Sequence, residues 1–151
     1  MIPRKSIPPA VLERVRQAAG FRCGYCHTQQ KYLGARLEID HIKPLAKGGT
    51  DDESNLWLAC PICNGHKSDK TTALDPETGQ SEALFNPRTQ VWTDHFMWEA
   101  DYVHLLGLTS TGRATIAALH LNDDPDTLIA RMNWVSAGWH PPKEDLPPDT
   151  A

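Results

Sequence analysis

Two pairs of cysteines stand in the first half of the chain, and the same spacing separates the members of each pair. The first pair is Cys23 and Cys26, and the second is Cys60 and Cys63. A C-x-x-C turn places two thiolates on one edge of a tetrahedron, and two such turns complete the four-sulfur coordination that structural zinc prefers. We therefore predict that the four cysteines hold one structural Zn²⁺ ion.

The distance between the two pairs is long for a simple zinc module. Thirty-three residues separate Cys26 from Cys60, whereas about 15–20 are common. This spacing fits a loop that contains a hairpin of its own, which the metal would close at its base. Redox chemistry at one pair is the alternative, but it leaves the second pair unexplained. His27, beside Cys26, is a further candidate ligand, although four cysteines already suffice.

A second set of residues, nested between and just after the cysteine pairs, supplies a carboxylate, an imidazole, two amides and an ammonium. Its members are Asp40, His41, Asn55, Asn64 and Lys67. Hydrolysis of a phosphodiester needs a deprotonated water, stabilisation of the charge on the phosphorane oxygens, and a proton for the leaving oxygen. This set contains groups suited to all three tasks, with one divalent ion to assist.

Each of these residue types indicates a role. Asp40 is predicted to ligate a hard ion such as Mg²⁺ or Mn²⁺, with the Asn64 amide oxygen as a second ligand. Neighbouring side chains of an extended chain point to opposite sides, so His41 points away from Asp40 and is predicted to be the general base. Asn55 would orient the histidine or pin the loop. Lys67 would contact a phosphate oxygen as a point charge.

His66 is the alternative to Asn64 as a metal ligand. The two residues are two positions apart, so on a helix their side chains point roughly 200° apart and do not easily reach one ion. We favour Asn64, and the other interpretation of His66 is a surface histidine near phosphate.

The elements that position these residues can be predicted from hydrophobic periodicity. Residues 10–19 have apolar positions at helical spacing, with prolines before them and a glycine after them. Residues 37–42 alternate between apolar and polar types, which predicts a strand that ends near the Asp-His step. A Gly-Gly loop follows, residues 55–59 predict a short strand or turn, and residues 64–71 can form a short helix.

The second half of the chain has weaker patterns. We predict a turn at 75–80, extended structure within 84–108, and helices over 111–121 and from 124 to about 134. Four tryptophans lie here, and they either form a core that docks this half or stack on unpaired bases: Trp92, Trp98, Trp134 and Trp139. His95 and His104 are interpreted as packing residues.

The first half of the sequence is basic and the second half is acidic. Residues 1–71 have 11 Lys/Arg and 7 Asp/Glu, a net charge of +4, whereas residues 72–151 have 4 and 12, a net charge of −8. The basic half is compatible with phosphate contacts. No apolar run is long enough to cross a bilayer and no signal peptide is present, so we expect a cytoplasmic protein without membrane contact.

The motif resembles the HNH endonuclease family. The matching residues run through Cys23-x-x-Cys26, Asp40-His41-Ile-x-Pro44, Gly48-Gly49, Asn55-Leu56 and Cys60-x-x-Cys63-Asn64-x-x-Lys67, and they cover about residues 21–71. The resemblance implies a ββα-metal (His-Me finger) core, within an α+β fold, with structural zinc. In the family the Asp binds the catalytic metal, the His activates water, and the middle Asn supports the His.

The resemblance also implies a substrate and a division of the chain. The expected activity is hydrolysis of DNA, most often double-stranded, to leave a 3′-hydroxyl and a 5′-phosphate. The alternative is a zinc-stabilised nucleic-acid-binding or interaction module that is catalytically silent. We predict a nuclease core with its N-terminal helix at 1–75, and an acidic mixed α/β extension at 76–151. The extension either packs on the core or contacts a partner protein.

Overall fold

A computed structural model describes residues 6–148, which form five α-helices and three two-stranded antiparallel sheets. The helices are α1 (Pro9–Ala18), α2 (Pro61–Lys67), α3 (Trp92–His95), α4 (Ser110–Ala118) and α5 (Pro125–Ser136). The strands are β1 (Glu38–His41), β2 (Leu56–Ala59), β3 (Thr72–Leu74), β4 (Ser81–Ala83), β5 (Phe96–Trp98) and β6 (Leu105–Gly107). This mixture of small sheets and helices confirms the predicted α+β class.

The first sheet and the helix after it form the ββα unit. Strand β1 pairs with β2 so that Asp40 lies opposite Trp57, and β2 leads directly into α2. Leu56 and Leu58 of β2 are fully buried, and α1 packs against this strand. The long spacing between the cysteine pairs is therefore occupied by a hairpin, as predicted.

Helix boundaries follow from proline and capping residues. Proline stands in the first turn of α1, α2 and α5, where its missing N–H group breaks no hydrogen bond. The Asp124 side chain caps α5 by accepting a hydrogen bond from the Thr127 amide. Helix α2 begins earlier than the predicted residue 64, because Pro61 can start the helix and the Cys60 sulfur caps it.

The β3–β4 hairpin connects the predicted core to the predicted extension. Its turn occupies residues 75–80, as expected, and α4 packs against both strands. Arg113 of α4 holds the buried Asp75 carboxylate with a 2.8 Å ion pair, and these hydrogen bonds lower the pKa of Asp75. The division at residues 75 and 76 stays a prediction, with one strand of this hairpin on each side of it.

Aromatic residues of the second half cover the first cysteine loop. Trp92 and Trp98 are buried, and Trp92 donates a hydrogen bond to the Tyr25 carbonyl at 2.9 Å. Extended structure within residues 84–108 is limited to β5 and β6. Two of the four tryptophans thus belong to the core that docks the second half on the first. Within residues 6–148, no helix has the length and apolar character needed to span a membrane.

Candidate metal centre and active site

The four cysteines form one buried cluster. Their sulfur atoms all lie within 4.8 Å of one another, and none of the four is in a disulfide. The cluster members are Cys23, Cys26, Cys60 and Cys63. A single tetrahedral ion with sulfur ligands at about 2.3 Å fits such a group, so the donor set suits zinc.

Local backbone structure brings the two C-x-x-C turns together. The amide of Cys23 donates to the Thr28 carbonyl and closes the first turn, and the Gly24 amide donates to Leu58 of β2. The Tyr25 amide points at the Cys23 sulfur at 3.4 Å. These bonds fix the first pair to the hairpin, next to the start of α2 where the second pair lies.

The four buried cysteine sulfurs can all be ionised only if a cation binds between them. Hydrogen bonds from the neighbouring sulfurs lower the pKa of Cys26, whereas the bonds from Cys23 and Cys26, together with burial, raise the pKa of Cys60 and Cys63. Four thiolates cannot share a buried site without a positive ion, and a dication ionises them all. His27 does not enter the cluster, because its Nδ1 lies 2.8 Å from Asp145.

Asp40 lies on the inner side of β1, in a buried hydrogen-bond network. The Tyr25 hydroxyl donates to Oδ2 at 2.6 Å, and Lys67 Nζ donates to Oδ1 at 3.0 Å. Burial raises the pKa of Tyr25 well above its ordinary value, with a further contribution from Asp40, so the hydroxyl stays protonated. Both carboxylate oxygens thus have a partner.

Lys67 is a buried lysine, and its predicted contact with a phosphate oxygen stays a prediction. Its side chain is only 2% exposed, and its ammonium also donates to the carbonyls of His41 and Ile42 at 2.8 and 3.2 Å. Because Lys67 is on the α2 face that packs on β1, it points at the hairpin and away from solvent. In this arrangement the ammonium holds β1 and Asp40.

His41 lies on the opposite side of β1 from Asp40, as the alternation of a strand requires. The imidazole is 20% exposed, and its Nε2 lies 2.8 Å from Oδ1 of Asp51 in the loop after β1. A carboxylate only accepts hydrogen bonds, so in a neutral ring Nε2 would carry the proton and Nδ1 would be the nitrogen able to accept one. The pair has the arrangement of an oriented general base.

Asn55 pins the loop between β1 and β2. Its Oδ1 accepts from the Lys43 amide at 2.8 Å, and its Nδ2 donates to the carbonyls of Lys43 and Thr50 at 3.0 and 2.8 Å. Of the two predicted roles for this amide, its three hydrogen bonds correspond to loop pinning. The loop that it closes is the one that contributes Asp51.

Asn64 and His66 point in different directions from α2. The Asn64 amide donates to Glu38 of β1 at 3.0 Å, whereas His66 Nε2 lies 3.0 Å from Asp124 at the start of α5. The hydrogen bond from His66 lowers the pKa of Asp124. Asn64 is therefore next to the strand that contains Asp40, and His66 contacts the second half of the chain.

Two residues that contribute to the site, Tyr25 and Asp51, do not belong to any recognisable sequence motif. Tyr25 falls at a variable position of the first C-x-x-C turn, and Asp51 falls in a loop with two further acidic residues beside it. The burial of Tyr25 beside a strand residue depends on packing, and the choice of Asp51 depends on loop conformation. The signal for Asp51 was the acidic run that follows the Gly-Gly step at a distance that lets a loop fold back on β1.

An antiparallel hairpin, a helix after it, and four cysteines at the base define a zinc-type ββα domain. The family model described as HNH endonuclease matches residues 23–70, so this segment is an HNH domain. The match begins at the first cysteine and includes the four cysteines and all six candidates for catalysis and the catalytic ion, the alternative ligand His66 among them. No curated protein and no solved structure gives a significant match to the chain.

Proposed function

We propose that this protein is an endonuclease that hydrolyses phosphodiester bonds of DNA, with His41 as the general base and one divalent ion as cofactor. The observation that carries the proposal is the His41–Asp51 pair, because it places a partly exposed, oriented imidazole at the end of β1 of an HNH domain. A structural zinc on the four cysteines would hold the hairpin that carries this pair.

In the proposed reaction His41 takes a proton from the attacking water at Nδ1. Asp51 holds the ring through Nε2 and stabilises the imidazolium that forms. Asn55 keeps the loop in place with its three backbone hydrogen bonds. General base catalysis by a positioned side chain contributes about 10²–10⁴-fold to a rate, so this pair supplies a large share of the activity.

The divalent ion is proposed to bind at Asp40 and Asn64, where it would stabilise charge on the phosphate and the leaving oxygen. The donor chemistry fits, because one carboxylate and two carbonyl oxygens already surround a cation there, the Lys67 ammonium. Hard oxygen donors are what Mg²⁺ and Mn²⁺ prefer. An ion bound at Asp40 would have to displace the Lys67 ammonium from its carboxylate.

DNA is the proposed substrate on two grounds. HNH endonucleases are matched over residues 23–70, and the first 71 residues have a net charge of +4 in a chain with an overall charge of −4. A polyanion will approach the positive half of the molecule.

The test is nicking of supercoiled plasmid with Mg²⁺ or Mn²⁺ by the zinc-loaded protein and by His41→Ala. We expect metal-dependent cleavage that falls at least about 100-fold in the variant, at unchanged zinc content. His104→Ala is the matched control, since His104 pairs with Asp101 in a surface turn and its loss should leave the rate within about 2-fold. Equal rates in His41→Ala and wild type would rule out this base. No cleavage by folded, zinc-loaded wild type with any of several divalent ions would favour the binding module.

Asp51 provides a second, independent test as a positioning residue. Asp51→Asn keeps a hydrogen-bond acceptor but removes the charge that stabilises the imidazolium, so we expect kcat to fall about 10–100-fold with little change in KM. Asp51→Glu should recover part of that loss. Asp52→Asn, at the neighbouring exposed carboxylate that binds Thr50, is the control. A loss of the same size in Asp52→Asn would assign the effect to loop charge instead of to His41.

A further inference from the structure

A groove of about 630 Å³ lies between the loop that follows α1 and the residues that follow α5. Its lining comes from the two halves of the chain, residues 20–22 and 29–32 of the first and 138–139 and 141–144 of the second. None of the residues assigned above to the metal centre or the active site lines it. Its volume falls within the range of about 300–1,000 Å³ that is usual for small-ligand sites.

One wall of the groove is a flat pair of aromatic rings. Tyr32 and Trp139 stack with their centroids 4.7 Å apart and their planes within 6°. Trp139 is nonetheless 46% exposed, in contrast to the buried Trp92 and Trp98. Phe21, a third aromatic residue of the lining, is also exposed. The groove thus presents aromatic surface to solvent, which is the kind of surface on which nucleobases stack.

The backbone around Trp139 holds this ring in place. Gly138 has a positive φ of 78°, which ends α5 in the left-handed conformation that glycine favours. The Trp139 amide then donates to the Trp134 carbonyl at 2.8 Å, and Gln29 donates to the Trp139 carbonyl at 3.1 Å. These bonds fix the backbone of Trp139 and its stack on Tyr32 orients the ring, so little conformational entropy is lost when a base stacks there.

Positive charge surrounds the aromatic pair. Lys31 and Lys143 are exposed and line the groove together with Arg22, and Glu144 is the acidic residue of the lining. Arg22 lies 3.6 Å from Glu144, so the two lysines remain as the cations that can meet an added anion. Lys31 lies 5.1 Å from the centroid of the Tyr32 ring. This charge contrasts with the net −8 of residues 72–151.

We infer that this groove binds a single-stranded segment of DNA, with a base on the Tyr32–Trp139 pair and phosphates at Lys31 and Lys143. Stacking is possible only for bases that are not paired in a duplex. A proline-rich peptide also suits aromatic grooves, but flanking lysines favour a polyanion. The choice of DNA rests on the proposed function. The inference adds that the preferred substrate has an unpaired stretch, such as a flap, gap or bubble.

Binding is measured by fluorescence anisotropy with a labelled 12-nucleotide oligo-dT, on the zinc-loaded full chain without added divalent ion. Trp139→Ala is expected to weaken binding about 10-fold or more, since stacking of one base on an aromatic side chain contributes that much. Trp139→Phe should restore part of the affinity. Tyr102→Ala, which removes another exposed aromatic residue, is the matched control and should bind like wild type.

The lysines are tested by salt dependence. Each phosphate contact on a single strand adds about 0.7 to the magnitude of the slope of log K against log salt. Lys31→Ala and Lys143→Ala should each reduce the slope by about that amount, and neither exposed side chain is needed for folding. A slope unchanged in both variants, or an affinity unchanged in Trp139→Ala, would overturn the inference. Binding of a proline-rich peptide but not of oligo-dT would overturn it in favour of a protein ligand.

The same assay separates this inference from the proposed catalytic activity. His41→Ala should bind oligo-dT with wild-type affinity while it fails to nick plasmid. Binding at the groove without any nicking by wild type would remove the nuclease and keep the single-strand site. Nicking by wild type without binding of oligo-dT would keep the nuclease and overturn the single-strand site.

Discussion

Cys63→Ser will give a protein that holds no zinc and is largely unfolded at 25 °C. Cys63 is 2% exposed and lies where the first cysteine turn, β2 and α2 meet. Structural zinc contributes an apparent binding free energy of about 10–16 kcal/mol in zinc-finger peptides, and a whole domain is stable by only about 5–15 kcal/mol. Loss of the ion therefore removes most or all of the net stability, and it also leaves three thiols in the core without a cation.

The measurement combines zinc content with thermal unfolding followed by circular dichroism. Ile62→Ser is the control, because Ile62 is the neighbouring residue of α2 and is exposed. It should keep one zinc per chain and change the unfolding free energy by less than about 1 kcal/mol. Chelation of the wild type should reproduce the Cys63→Ser result, and added zinc should reverse it. A wild type that unfolds at the same temperature with and without zinc would contradict the structural role.

Lys67→Met will destabilise the protein by about 3–5 kcal/mol, since it leaves the Asp40 carboxylate buried without its cation. Replacing both charges, in Asp40→Asn/Lys67→Met, should be less harmful than either single change, because a buried ion pair is often close to neutral in stability against uncharged residues. Under the proposed function, this pair places a carboxylate and a cation site near His41.

The effect of divalent ions on stability distinguishes an ion-binding role of Asp40 from a purely structural role of the Asp40–Lys67 pair. If Asp40 is a ligand of the proposed ion, Mg²⁺ or Mn²⁺ should recover part of the stability of Lys67→Met in chemical denaturation, and should stabilise wild type less. Lys70→Met is the control, because Lys70 is an exposed lysine just after α2 whose Nζ binds the His66 carbonyl. Equal stabilisation of wild type and Lys67→Met by the ion would exclude Asp40 as a ligand that competes with Lys67.

Much of the fold could be predicted from local patterns. The prolines and the glycine around α1, and Asp124 and Pro125 at the start of α5, mark those helices in the sequence because their conformations are locally restricted. Alternation along β1 correctly predicts that Asp40 and His41 lie on opposite sides of the strand, since the strand period is independent of the rest of the fold, but it does not indicate that the polar Asp40 is the buried one. The cysteine cluster follows from ligand spacing in the same way.

The network around Asp40 could not be predicted in this way. Lysine is almost always exposed in folded proteins, so nothing in its position after Asn64 indicated that Lys67 would turn inward. The Tyr25 hydroxyl reaches Asp40 only because the first cysteine turn is fastened to β2. The His41–Asp51 bond depends in turn on the loop that Asn55 closes. Each of these contacts joins residues that lie 10–27 positions apart, so each is decided by tertiary packing.

The cover that Trp92 places over the first cysteine turn has a consequence for how the protein is made. All four cysteines leave the ribosome before Trp92, and the Asp145 that binds His27 follows much later. Because chains begin to fold from the N-terminal side during synthesis, zinc can enter an open site on the nascent chain. Once the later residues have docked, the ion is enclosed, and its exchange requires that cover to lift. The folded protein should therefore exchange its zinc slowly, whereas a chain that is still being made, or one unfolded by chelation, can take up the ion readily.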